Sequence, residues 1–284
     1  MKISVLSGKG GTGKTLVATN LAAAVRPSQY VDLDVEEPNG YHFLKPRLRE
    51  TVSVGVPVPR LEEGKCTGCG LCAGVCQFNA LAAIKNKVLI FPELCHHCGA
   101  CSLACPEKAL QEVQREVGTI SIGEERDFMQ GELQVGEPVA VPLINELKRR
   151  VKENGPVFFD CPPGAACAVV HAVEDTDYCL LVTEPTPFGR HDLAIAVRLM
   201  EKLGLPFGVL INKGDGKNGD VHQFCREKGS KILAEIPFSL EIAETYSRGE
   251  LLVQREKDWL HFFQNLFGKI KEEVGHENHR HPQR

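Results

Sequence analysis

The chain has 284 residues, of which 43% are hydrophobic, and a formal net charge of −4. That allows a sizeable core and about two domains, and the slightly acidic balance leaves no basic footprint for nucleic acid. No secretory leader and no apolar run of about 18 residues can be read, so the expected location is the cytoplasm, where twelve cysteines point to metal or redox chemistry rather than to disulfides.

Ile3–Leu6 reads as a short buried strand running into SGKGGTGKTLVATN, Ser7 to Asn20. Gly8-Lys9-Gly10-Gly11-Thr12-Gly13-Lys14-Thr15 fits G-x-x-x-x-G-K-[ST], the loop whose backbone N–H groups wrap nucleotide phosphates. Its glycines permit positive φ and close backbone approach. Lys14 is placed to reach the β- and γ-phosphates and the Thr15 hydroxyl to hold Mg²⁺. Leu16, Val17, Leu21 and Ala24 follow at helical spacing, so the phosphates would meet a helix N-terminus. Lys9 is a second lysine in a loop that needs only one.

Tyr30–Asp34 is a second buried strand ending in the carboxylates Asp32 and Asp34. The proline-rich stretch Val54–Pro59 then leads into Cys66-x₂-Cys69-x₂-Cys72-x₃-Cys76, and Cys95-x₂-Cys98-x₂-Cys101-x₃-Cys105-Pro106 repeats the spacing. This is the bacterial ferredoxin run, in which the fourth cysteine ligates the other cluster. Two [4Fe–4S] clusters are expected, one on Cys66, Cys69, Cys72 and Cys105, the other on Cys95, Cys98, Cys101 and Cys76. Four-cysteine zinc sites or free thiols are the alternatives, although zinc commonly uses two C-x₂-C pairs set further apart. Gln77 stands where the second run has Pro106. His96 and His97 read as solvated loop positions rather than as donors that tune a potential. So small a unit makes a poor core alone, and the clusters would staple it.

The unit ends between Val113 and Ile122, after which short apolar strands alternate with helices. The strands end at Asp160, Thr183, Asn212 and, more weakly, Pro237. Helices are expected near Val139–Lys152, His191–Leu203 and Val221–Lys228. That alternation predicts a doubly wound, mostly parallel α/β sheet with an inserted small α+β ferredoxin-like domain. The predicted parts are 1–57 and 118–275 for the nucleotide-binding domain, 58–117 for the insertion and 276–284 for a disordered, histidine-containing tail. Asp160, in Phe158-Phe159-Asp160-Cys161-Pro162-Pro163-Gly164, suits the Walker-B role on Mg²⁺, and Gly164 opens a loop able to sense the γ-phosphate. Cys161, Cys167, Cys179 and Cys225 read as small buried hydrophobes. Trp259, Phe263, Leu266, Phe267, Ile270 and Val274 form a helical stripe. The acidic opposite face of that helix favours packing on the core over a membrane.

Lys9–Thr15, Asp32-Leu33-Asp34, Asp160–Gly164 and Ile211-Asn212-Lys213 together resemble the deviant Walker A group of MinD and ParA, which includes the nitrogenase iron protein and Mrp-type cluster carriers. The eight-cysteine unit narrows the resemblance to MinD-superfamily ATPases with an inserted ferredoxin domain, over essentially the whole chain. The resemblance implies an ATP-dependent homodimer in which Lys9 reaches the partner's phosphates, with the logic of an arginine finger in trans. It also implies that Asp34 positions the attacking water with Asp32 in support, and that Asn212 hydrogen-bonds the adenine edge.

The function expected from these parts is a Mg²⁺-dependent ATPase switch. It would couple nucleotide state to electron transfer through the clusters to a client protein. Metallocofactor assembly or delivery is the second reading. The C-x-x-C of Mrp-type carriers is missing outside the cysteine unit, which weakens a simple carrier reading; a ParA-like positioning ATPase ranks lower, because of the acidic balance and the lack of a basic membrane helix. An amidoligase or dethiobiotin-synthetase-like activity ranks last. Neither nucleic acid nor stable membrane insertion is expected.

Overall fold

The computed structural model describes residues 1–125, 127–152, 155–217 and 219–280. The chain opens with β1 (Lys2–Leu6), α1 (Lys14–Ala24), β2 (Gln29–Asp32), α2 (Gly40–Leu44) and a long β3 (Leu48–Leu61). The cysteine-bearing region follows as α3 (Leu71–Val75), β4 (Leu81–Ile84), β5 (Lys87–Ile90) and α4 (Ala100–Ala104). After β6 (Leu110–Gly123) and β7 (Phe128–Leu133), helices and strands alternate: α5 (Val141–Arg149), β8 (Val157–Asp160), α6 (Cys167–Val173), β9 (Tyr178–Thr183), α7 (Pro187–Leu203), β10 (Phe207–Gly214), α8 (Asp220–Lys228) and β11 (Ile232–Pro237). Three helices close the chain, α9 (Leu240–Ser247), α10 (Leu252–Arg255) and α11 (Lys257–Arg280).

Nine strands form one sheet in the order β11-β10-β9-β1-β8-β2-β7-β6-β3. The pairings from β11 to β7 are parallel, while β7–β6 and β6–β3 are antiparallel. The central strands are buried along their whole length, as the near-continuous apolar runs require for a sheet covered on both faces. Period-two alternation splits their side chains between two cores. Ile3, Val5, Phe158, Leu180 and Leu210 pack on α1 and on Phe263, Leu266 and Ile270 of α11. Leu6, Val31, Phe159, Leu181 and Ile211 pack on α5, α6 and α7 through residues such as Leu143, Leu147, Val169 and Val197. Burying a phenylalanine such as Phe158 or Phe263, each 0% exposed, stabilises the fold by about 1.5–3 kcal/mol.

Several elements were not legible in the sequence, among them α2, β7, α6, α9, α10 and the β3–β6 ribbon. Pro57 and Pro59 do not precede the cysteine region as a loop; they lie inside β3, opposite Gln114 and Glu112. β3 is the edge strand, so their missing N–H groups cost the sheet no partner. The boundaries expected at 57/58 and 117/118 therefore fall in mid-strand. Val54, Val56 and Val58 carry the core of the main body without a break to Leu81, Val88 and Leu110. The cysteine-bearing region is the far end of a two-stranded ribbon continuous with the sheet, with a register shift between Val54 and Gly55.

The last helix covers the core as its stripe predicts, and it continues to Arg280, so the part of the tail up to 280 is helical rather than disordered. The remainder of that expected tail, 281–284, lies outside the described residues. No helix among the described residues is long and apolar enough to cross a membrane.

Candidate functional site

β1 delivers the glycine-rich loop at its carboxyl end, and α1 starts at Lys14 behind Gly13, whose φ of 95° is left-handed. A Cβ on Gly13 would lie 2.2 Å from Asn212 Nδ2, and one on Gly8 would lie 2.4 Å from the Asp192 carbonyl oxygen on α7. The loop is braced from several directions. Asn212 Nδ2 donates to Thr12 O (2.8 Å), Lys213 Nζ to Gly11 O (3.1 Å), Ser7 Oγ to Lys9 O (2.6 Å) and the Gly164 N–H to Ser7 O (2.9 Å). Such a loop is preorganised, with the first turn of α1 available to an anion. A 360 Å³ cavity opens over it, lined by Gly10, Gly11, Gly13, Lys14, Thr15, Asp34 and Asn212, a size suited to a small ligand.

Within the single chain, Asn212 and Lys9 have partners of their own. Asn212 lines the cavity and also braces the loop, its Oδ1 accepting the Lys213 N–H at 3.0 Å; the amide keeps a second N–H and a second lone pair. An apolar wall of the cavity is formed by Pro237, Phe238, Ile242 and Tyr246, from the end of β11 and from α9. The signal for it was the apolar run that ends at Pro237, at the carboxyl edge of the sheet where ligands collect. Lys9 lies 3.8 Å from Glu184 Oε2 of its own chain, and Glu184 Oε1 holds Lys213 at 2.5 Å.

Asp34 lines the cavity, and a buried acidic pair lies beneath it. Asp32 and Asp160 are register partners on β2 and β8, and both are 0% exposed. Burial raises the pKa of each carboxyl, and Asp160 pushes Asp32 further up. Asp32 accepts N–H groups from Asp34, Asn39 and Gly40 at 3.2, 3.1 and 3.0 Å. Asp34 sits just beyond β2, 3.5 Å from Lys14 Nζ. Burial lifts its carboxyl to about 6, against the pull of Lys14. Burial works against the charge on Lys14, but Asp160, Asp34, Cys161 and Asp32 outweigh it and raise its pKa. Among the described residues three buried oxygens around the site have no hydrogen-bond partner, Asp160 Oδ1, Thr12 Oγ1 and Asn39 Oδ1. Each asks for a ligand atom.

The ribbon draws the eight run cysteines into two sets, each taking one member from the other run. Cys66, Cys69, Cys72 and Cys105 line one depression, and Cys76, Cys95, Cys98 and Cys101 the other. Among the described residues no three His, Cys, Asp or Glu side chains converge enough to hold a single metal ion. Backbone N–H groups of Gly68, His97 and Ala109 point at Cys66, Cys95 and Cys105 Sγ, at 3.4, 3.4 and 3.3 Å. Gly68 and His97 occupy equivalent left-handed positions in the two runs, with φ of 73° and 57°. His97 is a half-buried loop residue with partners of its own. Its Nε2 lies 3.4 Å from Arg115, whose guanidinium pairs at 2.6 Å with the buried Glu137 in the loop after β7. Arginine can only donate, so Nε2 accepts and the ring is neutral, in keeping with the burial that lowers its pKa. His96 is exposed and stacks on Phe78, with centroids 3.8 Å apart. Outside the runs, Cys161, Cys179 and Cys225 are buried as expected, but Cys167 is exposed at the start of α6.

Residues 3–253 match the CobQ/CobB/MinD/ParA nucleotide binding domain. An uncharacterized protein of Methanocaldococcus jannaschii is 31% identical over 88% of this chain and 90% of its own length. The iron-sulfur cluster carrier protein of Pyrococcus horikoshii is 24% identical over 96% of this chain and 88% of its own. Among solved structures, the septum site-determining protein MinD of Pyrococcus horikoshii, complexed with Mg-ADP, superimposes with a TM-score of 0.56 at 19% identity, covering 95% of each chain. This last likeness is one of fold. With the braced loop, the acidic strand ends and a model match over most of its length, the chain belongs to the CobQ/CobB/MinD/ParA nucleotide-binding family.

Proposed function

We propose that the protein is an ATP-hydrolysing, dimeric switch that couples its nucleotide state to electron transfer through two [4Fe–4S] clusters to a partner protein. The observation that carries this reading is a continuous backbone connection between the two sites. Val35, next to Asp34, accepts the Leu133 N–H at 2.8 Å; β7 pairs with β6, and β6 runs out to Leu110 beside Cys66, Cys69, Cys72 and Cys105. A shift of the Asp34 loop would pass along β7 and β6 into the ribbon, whose pairing shifts register between Val54 and Gly55 on the way to the cysteines.

The donor sets suit the groups this reading needs. Asp160 Oδ1 is a buried carboxylate oxygen without a partner, and Thr15 lies in the first turn of α1, which suits Mg²⁺. In a cubane each thiolate binds a different iron, so four cysteines around a depression need not converge on one point. The metal would neutralise phosphate charge, and the clusters would supply one-electron chemistry the polypeptide lacks. The chain's own residues do the rest. Lys14 binds the phosphates, Asp34 accepts a hydrogen bond from the attacking water, and Lys9 leaves Glu184 to reach the partner's nucleotide.

Cluster assembly or delivery is the second reading, favoured by the name of the Pyrococcus relative. The deciding experiment is an anaerobic redox titration followed by EPR, with and without a nonhydrolysable ATP analogue. A nucleotide-dependent change in potential or reduction rate is expected, because a ligand that prefers one geometry shifts any redox equilibrium that differs between geometries. Unchanged potentials and rates, with cluster transfer to an apo-ferredoxin, would replace the switch by delivery.

A further inference from the structure

A buried interior position of a parallel strand ordinarily needs only an aliphatic side chain. At position 30, on β2, stands a tyrosine that is 1% exposed, and its hydroxyl lies between two carboxylates. Tyr30 Oη is 3.0 Å from Asp160 Oδ2 and 3.2 Å from Asp32 Oδ2. Tyr30 is two residues before Asp32 and so shares its face of the sheet, and Asp32 is the register partner of Asp160. The ring is fixed by stacking on Phe128, with centroids 5.8 Å apart at 16°. Space for the hydroxyl depends on Gly40, where a Cβ would lie 2.3 Å from Oη, while the Gly40 N–H donates to Asp32 Oδ2. Three separate features, the ring stack, the glycine and the strand register, thus converge on one oxygen.

We propose that Tyr30 is the positioning residue for the divalent-cation carboxylate: its hydroxyl holds Asp160 through Oδ2 and leaves Oδ1 free for the metal of a bound nucleotide. This rests on the reading of Asp160 as a metal ligand. Asp160 Oδ1 is the oxygen that the fold leaves without a partner, although it is wholly buried. Without the hydroxyl Asp160 Oδ2 would lose the donor that stands between it and Asp32, leaving Thr15 and Lys14 on the other side to orient the carboxylate. Partners of metal-ligating carboxylates commonly govern about 10–100-fold of metal affinity.

The test uses Mn²⁺ as the probe, with the full-length protein loaded with a nonhydrolysable ATP analogue and free Mn²⁺ read by EPR. Tyr30→Phe keeps the ring and should weaken Mn²⁺ binding about tenfold, with nucleotide affinity in the presence of EDTA unchanged. Gly40→Ala, which drives a methyl group into the hydroxyl, should weaken it as well. Val31→Ala, on the opposite face of β2, should lower the melting temperature without moving Mn²⁺ affinity. If Tyr30→Phe binds Mn²⁺ as wild type does, the positioning role is wrong while the metal site stands. If wild type binds no Mn²⁺ with nucleotide, both are overturned.

Discussion

Lys9 Nζ and Glu184 Oε2 lie 3.8 Å apart within one chain, with Lys9 38% exposed and Glu184 only 14%. The second lysine of the loop is thus parked on a carboxylate at the rim of its own site, beside Lys213. A half-exposed pair of this kind contributes little to stability, so its release is inexpensive.

Lys9→Ala should therefore keep ATP binding but lose ATP-dependent dimerisation and on the order of 10³-fold in hydrolysis, the scale of a charge supplied in trans. Sedimentation with a nonhydrolysable analogue and steady-state ATPase assays measure both. Mixing Lys9→Ala with Lys14→Ala chains should restore part of the activity, since one retains the nucleotide loop and the other the reaching lysine. No recovery on mixing would place Lys9 in its own site.

Asp34→Asn should bind ATP normally and hydrolyse it slowly, so that nucleotide-loaded dimers accumulate, because the side chain acts on the water rather than on ground-state phosphate. It also carries a pH signature. Its carboxyl is raised to about 6 by burial, against 3.8 for the ordinary group. The stability gained by holding that proton is full below the ordinary value and is lost as pH rises through about 6. Melting of nucleotide-free, metal-free protein should show the variant gaining on wild type between about pH 4 and about pH 7.

Cys76→Ala should damage the site of Cys95, Cys98 and Cys101 and spare that of its own run, because Cys76 lines the depression of the second run. Anaerobic iron content should drop from about eight to about four per chain, with one EPR signal retained. Loss of the first-run signal instead would contradict the crossed arrangement.

Of the cysteines outside the runs, Cys167 alone is exposed. Burial pushes the Cys161 thiol up to about 12 and that of Cys225 to about 11, and holds Cys179 well above its usual range. Iodoacetamide at about pH 8 should alkylate Cys167 many-fold faster than these three. Peptide mass spectrometry reads the order, and rapid labelling of Cys161 would show that the Walker-B strand end opens in solution.

Much of this molecule is written locally. The loop from Gly8 to Thr15, the strand-end carboxylates Asp34 and Asp160 and the spacing of the eight cysteines are short-range patterns, because left-handed turns, helix starts and thiol convergence are set within a few residues. The two-sided sheet is likewise visible in runs such as Val157–Asp160. What the sequence could not disclose depends on residues far apart in the chain. Tyr30 reads as one more buried strand residue until β2 and β8 pair and bring its hydroxyl to Asp160, 130 positions away. The sequence does not show that Asn212 also braces the phosphate loop, which β10 achieves by placing it on Thr12, 200 positions away. Pro57, Pro59 and His97 acquire their meaning only from the β3–β6 ribbon and its Arg115. By itself the sequence determined which backbone can bind a phosphate and which thiols are near neighbours. Only the tertiary structure decided how the buried acidic pair is held and how the cysteine-bearing ribbon joins the sheet, because a buried polar group takes whatever partner the folded sheet brings within reach.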